Sequence, residues 1–351
     1  MTFASRASGT GVANVKSAPL AGGAKAIGMR TSLVLSPLVV ILTLIAGETR
    51  GQTPVLSDGV VRVLVGFPAG GSIDVVTRLV ADQMGRDLGL SLIVENRVGA
   101  GGQIAAQDLK RAAPDGHTLM VAPDHTMTIV PLTVAEPGFD PFNDFAAVGE
   151  VADYAGALAV AGNLNARTLD AYVQSVRADP KLGSVGVPSA GSKPEFALIA
   201  VAKEKNIGLS AVPYRGSVPL VQDLAAGNLP AGITALGDFL QLNGSQLNVI
   251  AITRGTRSAQ LPAVPTAREQ GYPIETNAWL GMFAPAGTPD PVMAKLAASL
   301  NKALLVQAVQ DRMNALAYDA KPSTPAEMMD VVRADADRWA PLVAASGWTK
   351  R

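Results

Sequence analysis

The groups best placed to do chemistry in this chain are backbone amides presented by short glycine turns. The stretch Phe67-Pro68-Ala69-Gly70-Gly71-Ser72-Ile73-Asp74 lies between an apolar run, residues 60–66, and a segment with helical spacing. A strand delivers the chain, the turn reverses it, and a helix begins with its free N–H groups facing the turn. Those amides and the positive end of the helix dipole make an anion site. The alternative is an ordinary turn, in which Gly70 and Gly71 supply positive φ and Asp74 caps the first turn of its helix. The layout recurs at Pro188-Ser189-Ala190-Gly191-Ser192, ahead of a helix over 194–205, and at Tyr214-Arg215-Gly216, ahead of a helix over 218–226. A fourth loop, Pro123-Asp124-His125-Thr126, ends a strand over 118–122. There His125 either touches a ligand, directly or through water, or stands aside; if it touches, affinity should change near its ordinary pKa of about 6.5. Asp124 would repel a ligand carboxylate unless it faces away or the ligand offers an amine or hydroxyl. Arg215 either pairs a second carboxylate or holds its own loop.

The elements that carry these turns follow from hydrophobic period. Residues 60–65 are a near-continuous aliphatic run, as a central strand of a parallel sheet would be. Ile73, Val76, Val80, Met84 and Leu88 recur at spacings of three and four, one apolar helical face that Gly89 terminates. A strand over 92–95, the glycine loop 96–102, a short helix and the strand 118–122 complete a βαβαβ order, which implies a doubly wound sheet with ligands beyond the carboxyl ends of its strands. Residues 148–160 read as one strand crossing away. Strands at 184–187, 209–212, 229–235 and 247–252 build a second α/β unit, and a strand over 276–284 returns to the first. Two helices follow, 289–305 and 324–345, the latter opening with the capping box Thr324-Pro325-Ala326-Glu327. We expect two α/β lobes, each a mostly parallel sheet flanked by helices. Residues 52–155 and 275–351 would form lobe 1 and residues 156–274 lobe 2, with two crossings forming a hinge and the turns facing one another across a cleft.

Composition narrows the function. The chain has 351 residues, with 29 Lys and Arg balancing 29 Asp and Glu, so it has no electrostatic footprint for nucleic acid or an anionic membrane. The absence of cysteine excludes disulfides, thiolate metal sites, cysteine nucleophiles and a lipid anchor on an N-terminal cysteine. Residues 1–51 read as an export signal. Lys25 and Arg30 precede an apolar stretch, residues 32–46, which is short and interrupted by Pro37, and small residues near Thr49 and Gly51 suit cleavage near Gln52. An uncleaved anchor is the alternative, and Met29-Arg30 would make a conventional start, leaving residues 1–28 as a mis-assigned extension. Nothing in the chain fits a hydrolase: Gly186 to Gly191 is not G-x-S-x-G, and no histidine follows Ser189. P-loop, H-E-x-x-H and G-x-G-x-x-G patterns are missing too.

Five segments together carry a specific resemblance: VRVLVGFPAGGSIDVVTRLVADQM, VENRVGAGGQIAAQDLKRAAPDGHTLMVA, VPYRGSVPLVQDLAAGNLPAGI, AITRGTRSAQLPAVPTAREQGYP and WLGMFAPAGTP. In order and spacing they resemble the tripartite tricarboxylate transporter receptors, the Bug-type, TctC-like solute-binding proteins, across nearly all of residues 60–347. The resemblance implies a type II-like periplasmic binding protein with no catalysis, metal or cofactor. It would be a monomer, not lipid-anchored and not bound to nucleic acid. It would close on a di- or tricarboxylate, an aromatic acid or an acidic amino acid and pass it to the membrane permease subunits of such a transporter. A sensor docking on a signalling protein is the alternative reading, and a hydrolase a weaker one. Carried over residue by residue, the family's carboxylate grip falls on Ala69, Gly70, Gly71 and Ser72, and Phe67 and Asp74 of the same turn join them as candidate ligand contacts. The loop after the third strand gives Asp124, His125 and Thr126. The second lobe gives Ser189, Ala190, Gly191 and Ser192, then Tyr214, Arg215 and Gly216. Three departures stand out. Asp124-His125 replaces a small, hydroxyl-rich loop, Phe196 stands where a histidine is usual, and Ala231 and Gly232 occupy the neighbourhood of a customary acidic residue.

Overall fold

The computed structural model describes Leu56 and residues 59–350; the export segment expected over 1–51 lies outside the described residues. Strand β1 (Val60–Val65) leads into α1 (Ser72–Leu88), followed by β2 (Ser91–Asn96), α2 (Gln103–Arg111) and β3 (Thr118–Pro123). The segment read as a loop after β3 is instead a π-helical turn, His125–Ile129, running into α3 (Val130–Thr133). Then come β4 (Phe145–Tyr154), β5 (Gly156–Ala161), α4 (Leu169–Ala178), β6 (Ser184–Val187), α5 (Lys193–Lys205), β7 (Ser210–Pro213) and α6 (Ser217–Ala225). After them follow β8 (Ala231–Ala235), α7 (Leu236–Phe239), β9 (Leu247–Ile252) and β10 (Ala278–Pro285). The chain finishes with α8 (Asp290–Leu304), α9 (Gln307–Ala315), β11 (Tyr318–Ala320) and α10 (Pro325–Ala345).

Two sheets result, ordered β11-β4-β10-β3-β1-β2 and β7-β6-β8-β5-β9, one for each of two lobes. Both sheets are mixed rather than mostly parallel. The parallel order holds for β2-β1-β3 and β7-β6-β8, while β10 runs antiparallel to both neighbours and so does β5. Strands that enter from the other lobe cannot use a helical crossover, so they pair antiparallel. For the same reason the single strand expected over 148–160 breaks at Ala155, and its halves β4 and β5 join different sheets. The return path runs beside this crossing. Thr276 N–H donates to Thr253 O at 2.6 Å, and Thr253 N–H donates to Gly156 O at 2.8 Å.

Alternation along each central strand fills both faces. Val63 joins the cluster under α1 and α8, while its neighbour Leu64 joins the one under α2 and α10. Leu158 and Ala159 divide in the same way in the second lobe. Each fully buried aliphatic side chain contributes about 1.5–3 kcal/mol, so strands sealed on both faces give the turns at their carboxyl ends a rigid base. The capping box at α10 is present in full: Thr324 Oγ1 accepts from Glu327 N–H, and Glu327 accepts from Thr324 N–H.

Candidate functional site

The carboxyl ends of β1, β3, β6 and β8 meet at one cleft, with about 770 Å³ of open space, mouth included. From the first lobe it is lined by Phe67, Gly71, Asp74, Asp124 and His125, and from the second by Ser189 and Ser192. A second hollow of about 890 Å³ shares Phe67, His125 and Ser189 with the first and adds Ala190, Tyr214, Arg215 and Gly216. Ala69, Gly70, Ser72, Thr126 and Gly191 line neither. Ala69 and Gly70 face outward and are exposed, whereas Thr126 is buried with its hydroxyl donating to Gly101 O at 2.8 Å.

The first turn is already crowded with carboxylates. Gly70 N–H donates to Asp74 Oδ2 at 3.0 Å, and Asp74 also accepts from Arg78 Nε and Asn96 Nδ2. Burial pushes this carboxyl up, but Arg78, the Gly70 amide and Asn96 outweigh it and hold it below the ordinary carboxylate range. Asp74 thus closes the turn, the structural one of its two readings, and it also lines the cleft. Ser72, at the start of α1, donates its N–H to Asp238 Oδ1 at 2.9 Å, and its hydroxyl lies 3.0 Å from the Tyr318 hydroxyl. Tyr318 stacks on Tyr154 with ring centroids 4.7 Å apart, an aromatic floor beneath the turn.

Opposite, Ser192 caps α5 and Lys193 follows. Lys193 Nζ reaches into the first lobe, 2.5 Å from Asp124 Oδ2 and 2.8 Å from Asp335 Oδ1, with 4% of its side chain exposed. A lysine so fully sealed between two acids is an interlobe tie. Asp124 consequently does not face a ligand unpaired. Desolvation pushes its carboxyl up, Lys193 opposes this, and Asp335 adds to it. His125 keeps some surface toward the cleft, but its Nδ1 is sealed and has no hydrogen-bond partner among the described residues. Burial first and the Lys193 charge second lower its pKa to about 4. That corrects the expected titration near 6.5: the ring is neutral across the physiological range. Ser192 Oγ, also buried, likewise has no partner among the described residues.

The third turn closes onto the first. A Cβ on Gly71 would come within 3.2 Å of Ser217 Oγ, and one on Gly216 would collide with Pro68. The φ of Gly216 is +100°, a further reason why no other residue fits there. Tyr214 turns its hydroxyl away to Asp223 at 2.8 Å, and Arg215 is exposed at the second hollow. Phe196 packs edge-on to Trp348, ring centroids 5.6 Å apart, and against Trp339. Among the described residues no group of three acids or histidines is placed to hold a metal.

Three charged residues at or beside the cleft escaped the sequence. Asp238 lies three positions beyond β8 in the four-residue α7. Lys193 left one signal, a cation in the first turn of a helix, where the dipole disfavours it. Asp335 comes from mid-α10 and left none.

The Tripartite tricarboxylate transporter family receptor profile matches residues 76–348. Among solved structures the chain is similar to the periplasmic binding protein BugD (28% identity, TM-score 0.78, covering 83% of this chain and 99% of that one). It is also similar to an R. palustris protein solved with adipate (27%, TM-score 0.79, 83% and 98%) and to MatC from Rhodopseudomonas palustris with bound malate (29%, TM-score 0.75, 81% and 98%).

Proposed function

The chain belongs to the tripartite tricarboxylate transporter receptor family, and from that premise we propose that it captures one small organic carboxylate between its lobes in the periplasm and delivers it to a membrane permease. Residues 52–155 with 275–351, and 156–274, are the two lobes that close on it. The observation that carries this reading is a carboxylate, that of Asp238, seated on the amide at the start of α1. A helix start that holds one carboxylate from across the cleft has the geometry to hold another. The adipate and malate complexes of the R. palustris relatives support the ligand class.

Magnitudes are adequate for binding without catalysis. A hydrogen bond to a charged group contributes about 1.5–3 kcal/mol. Four or five of them sum to roughly 6–15 kcal/mol, and the upper part of that range leaves the roughly −8 kcal/mol of micromolar affinity after the lower costs of association. The test is native mass spectrometry of the exported protein, then titration calorimetry with mono-, di- and tricarboxylates, aromatic acids and acidic amino acids. One carboxylate per chain is expected; binding of none of them, or turnover of an ester or amide, would sink the reading. Gly71→Val wedges the turn against Ser217 and should lower affinity at least a hundredfold while the far-ultraviolet circular dichroism is retained. Delivery is checked by uptake of the bound carboxylate into proteoliposomes holding the cognate permease, which should require this protein.

A further inference from the structure

The first turn has few donors left to give. Gly70 N–H is committed to Asp74, and the Ser72 hydroxyl is paired with Tyr318. Ser72 N–H is committed to Asp238, which arrives from the opposite lobe. Asp238 is held as a bound carboxylate would be: Oδ1 on the amide that opens the 17-residue α1, Oδ2 accepting from Thr234 Oγ1 at 3.0 Å, and the Ser217 side chain beside it. Nor does the cleft wall offer a spare cation. Among the described residues Lys193 is the one lysine or arginine lining it and is taken by Asp124 and Asp335, while Arg215 lines only the adjoining hollow. His125 and Ser192 line the same space, and each keeps one buried polar atom, Nδ1 and Oγ, without a partner among the described residues.

We propose that Asp238 is a tethered competitor for the carboxylate site, so that a ligand carboxylate binds at the start of α1 by displacing the Asp238 carboxylate from Ser72 N–H. The inference rests on the carboxylate-receptor reading above. Asp238 then sets the affinity threshold of the receptor. A ligand is retained only when its contacts to both lobes exceed those that Asp238 gives up. Thr234 and Ser217, both in the second lobe with Asp238, keep the displaced carboxylate solvated within the cleft, so displacement needs only a side-chain rotation and no unfolding.

The experiment is titration calorimetry of wild type, Asp238→Asn and Asp238→Ala with succinate, citrate and benzoate at one pH and ionic strength, with circular dichroism to confirm that each variant is folded. Asparagine keeps the shape but competes weakly for an amide, so affinity for at least one probe should rise tenfold or more, with alanine at least matching it. Wild type that binds a probe while both folded variants bind it equally or more weakly overturns the proposal: Asp238 then ties the lobes or accepts a hydrogen bond from the ligand. Variants that bind where wild type does not support it. If neither wild type nor variant binds any carboxylate, the receptor reading itself fails and takes this inference with it. Should alanine fail to fold, the asparagine comparison still decides the matter.

Discussion

The two glycine turns that face each other across the cleft are close copies in backbone and opposites in use. Gly71 and Ser192 cap their helices at φ −71°, ψ 159° and φ −89°, ψ 159°. In each, the residue before the cap is a glycine with positive φ whose N–H is closed by an acid four residues on. These are Gly70 to Asp74 at 3.0 Å and Gly191 to Glu195 at 2.6 Å. The residue after the cap separates them. Ser72 leaves the helix amide open to a carboxylate arriving from the second lobe, whereas Lys193 sends a cation outward into two carboxylates of the first. A helix start is a generic anion site; one side chain at its first position decides whether it receives an anion or becomes a bolt.

Removing the bolt should have the largest effect. Lys193→Met strands Asp124 and Asp335 in a dry interface, and loss of one partner of a buried pair costs about 3–5 kcal/mol. Urea unfolding should show a loss of that order, with part recovered on adding Asp124→Asn; an unchanged midpoint would mean that the two turns are not opposites after all. A smaller effect should separate the two ring closures. Asp74→Asn weakens three bonds to its carboxylate, from Gly70, Arg78 and Asn96, while Glu195→Gln weakens one, from Gly191; a hydrogen bond to a charged group contributes about 1.5–3 kcal/mol. Equal losses would erase the asymmetry. At neutral pH the smallest titration effect belongs to His125, between the turns, and it emerges only on acidification. Its folded pKa of about 4 lies below the ordinary 6.5, so the unfolded chain binds more protons between those values and stability rises with pH there. Wild type should lose stability from pH 6.5 toward 4 more steeply than His125→Gln, and the two profiles should run parallel above pH 7.

Local signals made most of this fold legible. The apolar run of β1, the spacing of Val76, Val80 and Met84, the glycine stop at Gly89 and the capping box at Thr324 all act within a few residues, and each lies where the sequence puts it. Long-range choices were not legible. Antiparallel pairing of β10 and β5 depends on which lobe a strand enters from, and the three-residue β11 is too short to show a period. The site divides along the same line. Turns could be read as turns, but Asp238, Lys193 and Asp335 matter through partners 166 and 142 positions away, Asp238 to Ser72 and Lys193 to Asp335. No local pattern encodes such a separation.

The aromatic cluster behind α5 has a mechanical consequence. Phe196 of the second lobe packs on Ile129, Trp339 and Val343 of the first, Trp348 closes over it, and the Trp348 indole N–H donates to Thr133 O at 3.0 Å. Lys193 Nζ sits 5.3 Å from the Trp339 ring centre, so cation and cluster form one block. Any opening that leaves this block packed turns the second lobe about it as a door turns on its jamb. The contact of Gly216 with Pro68 is a separate meeting of the two lobes, outside this block.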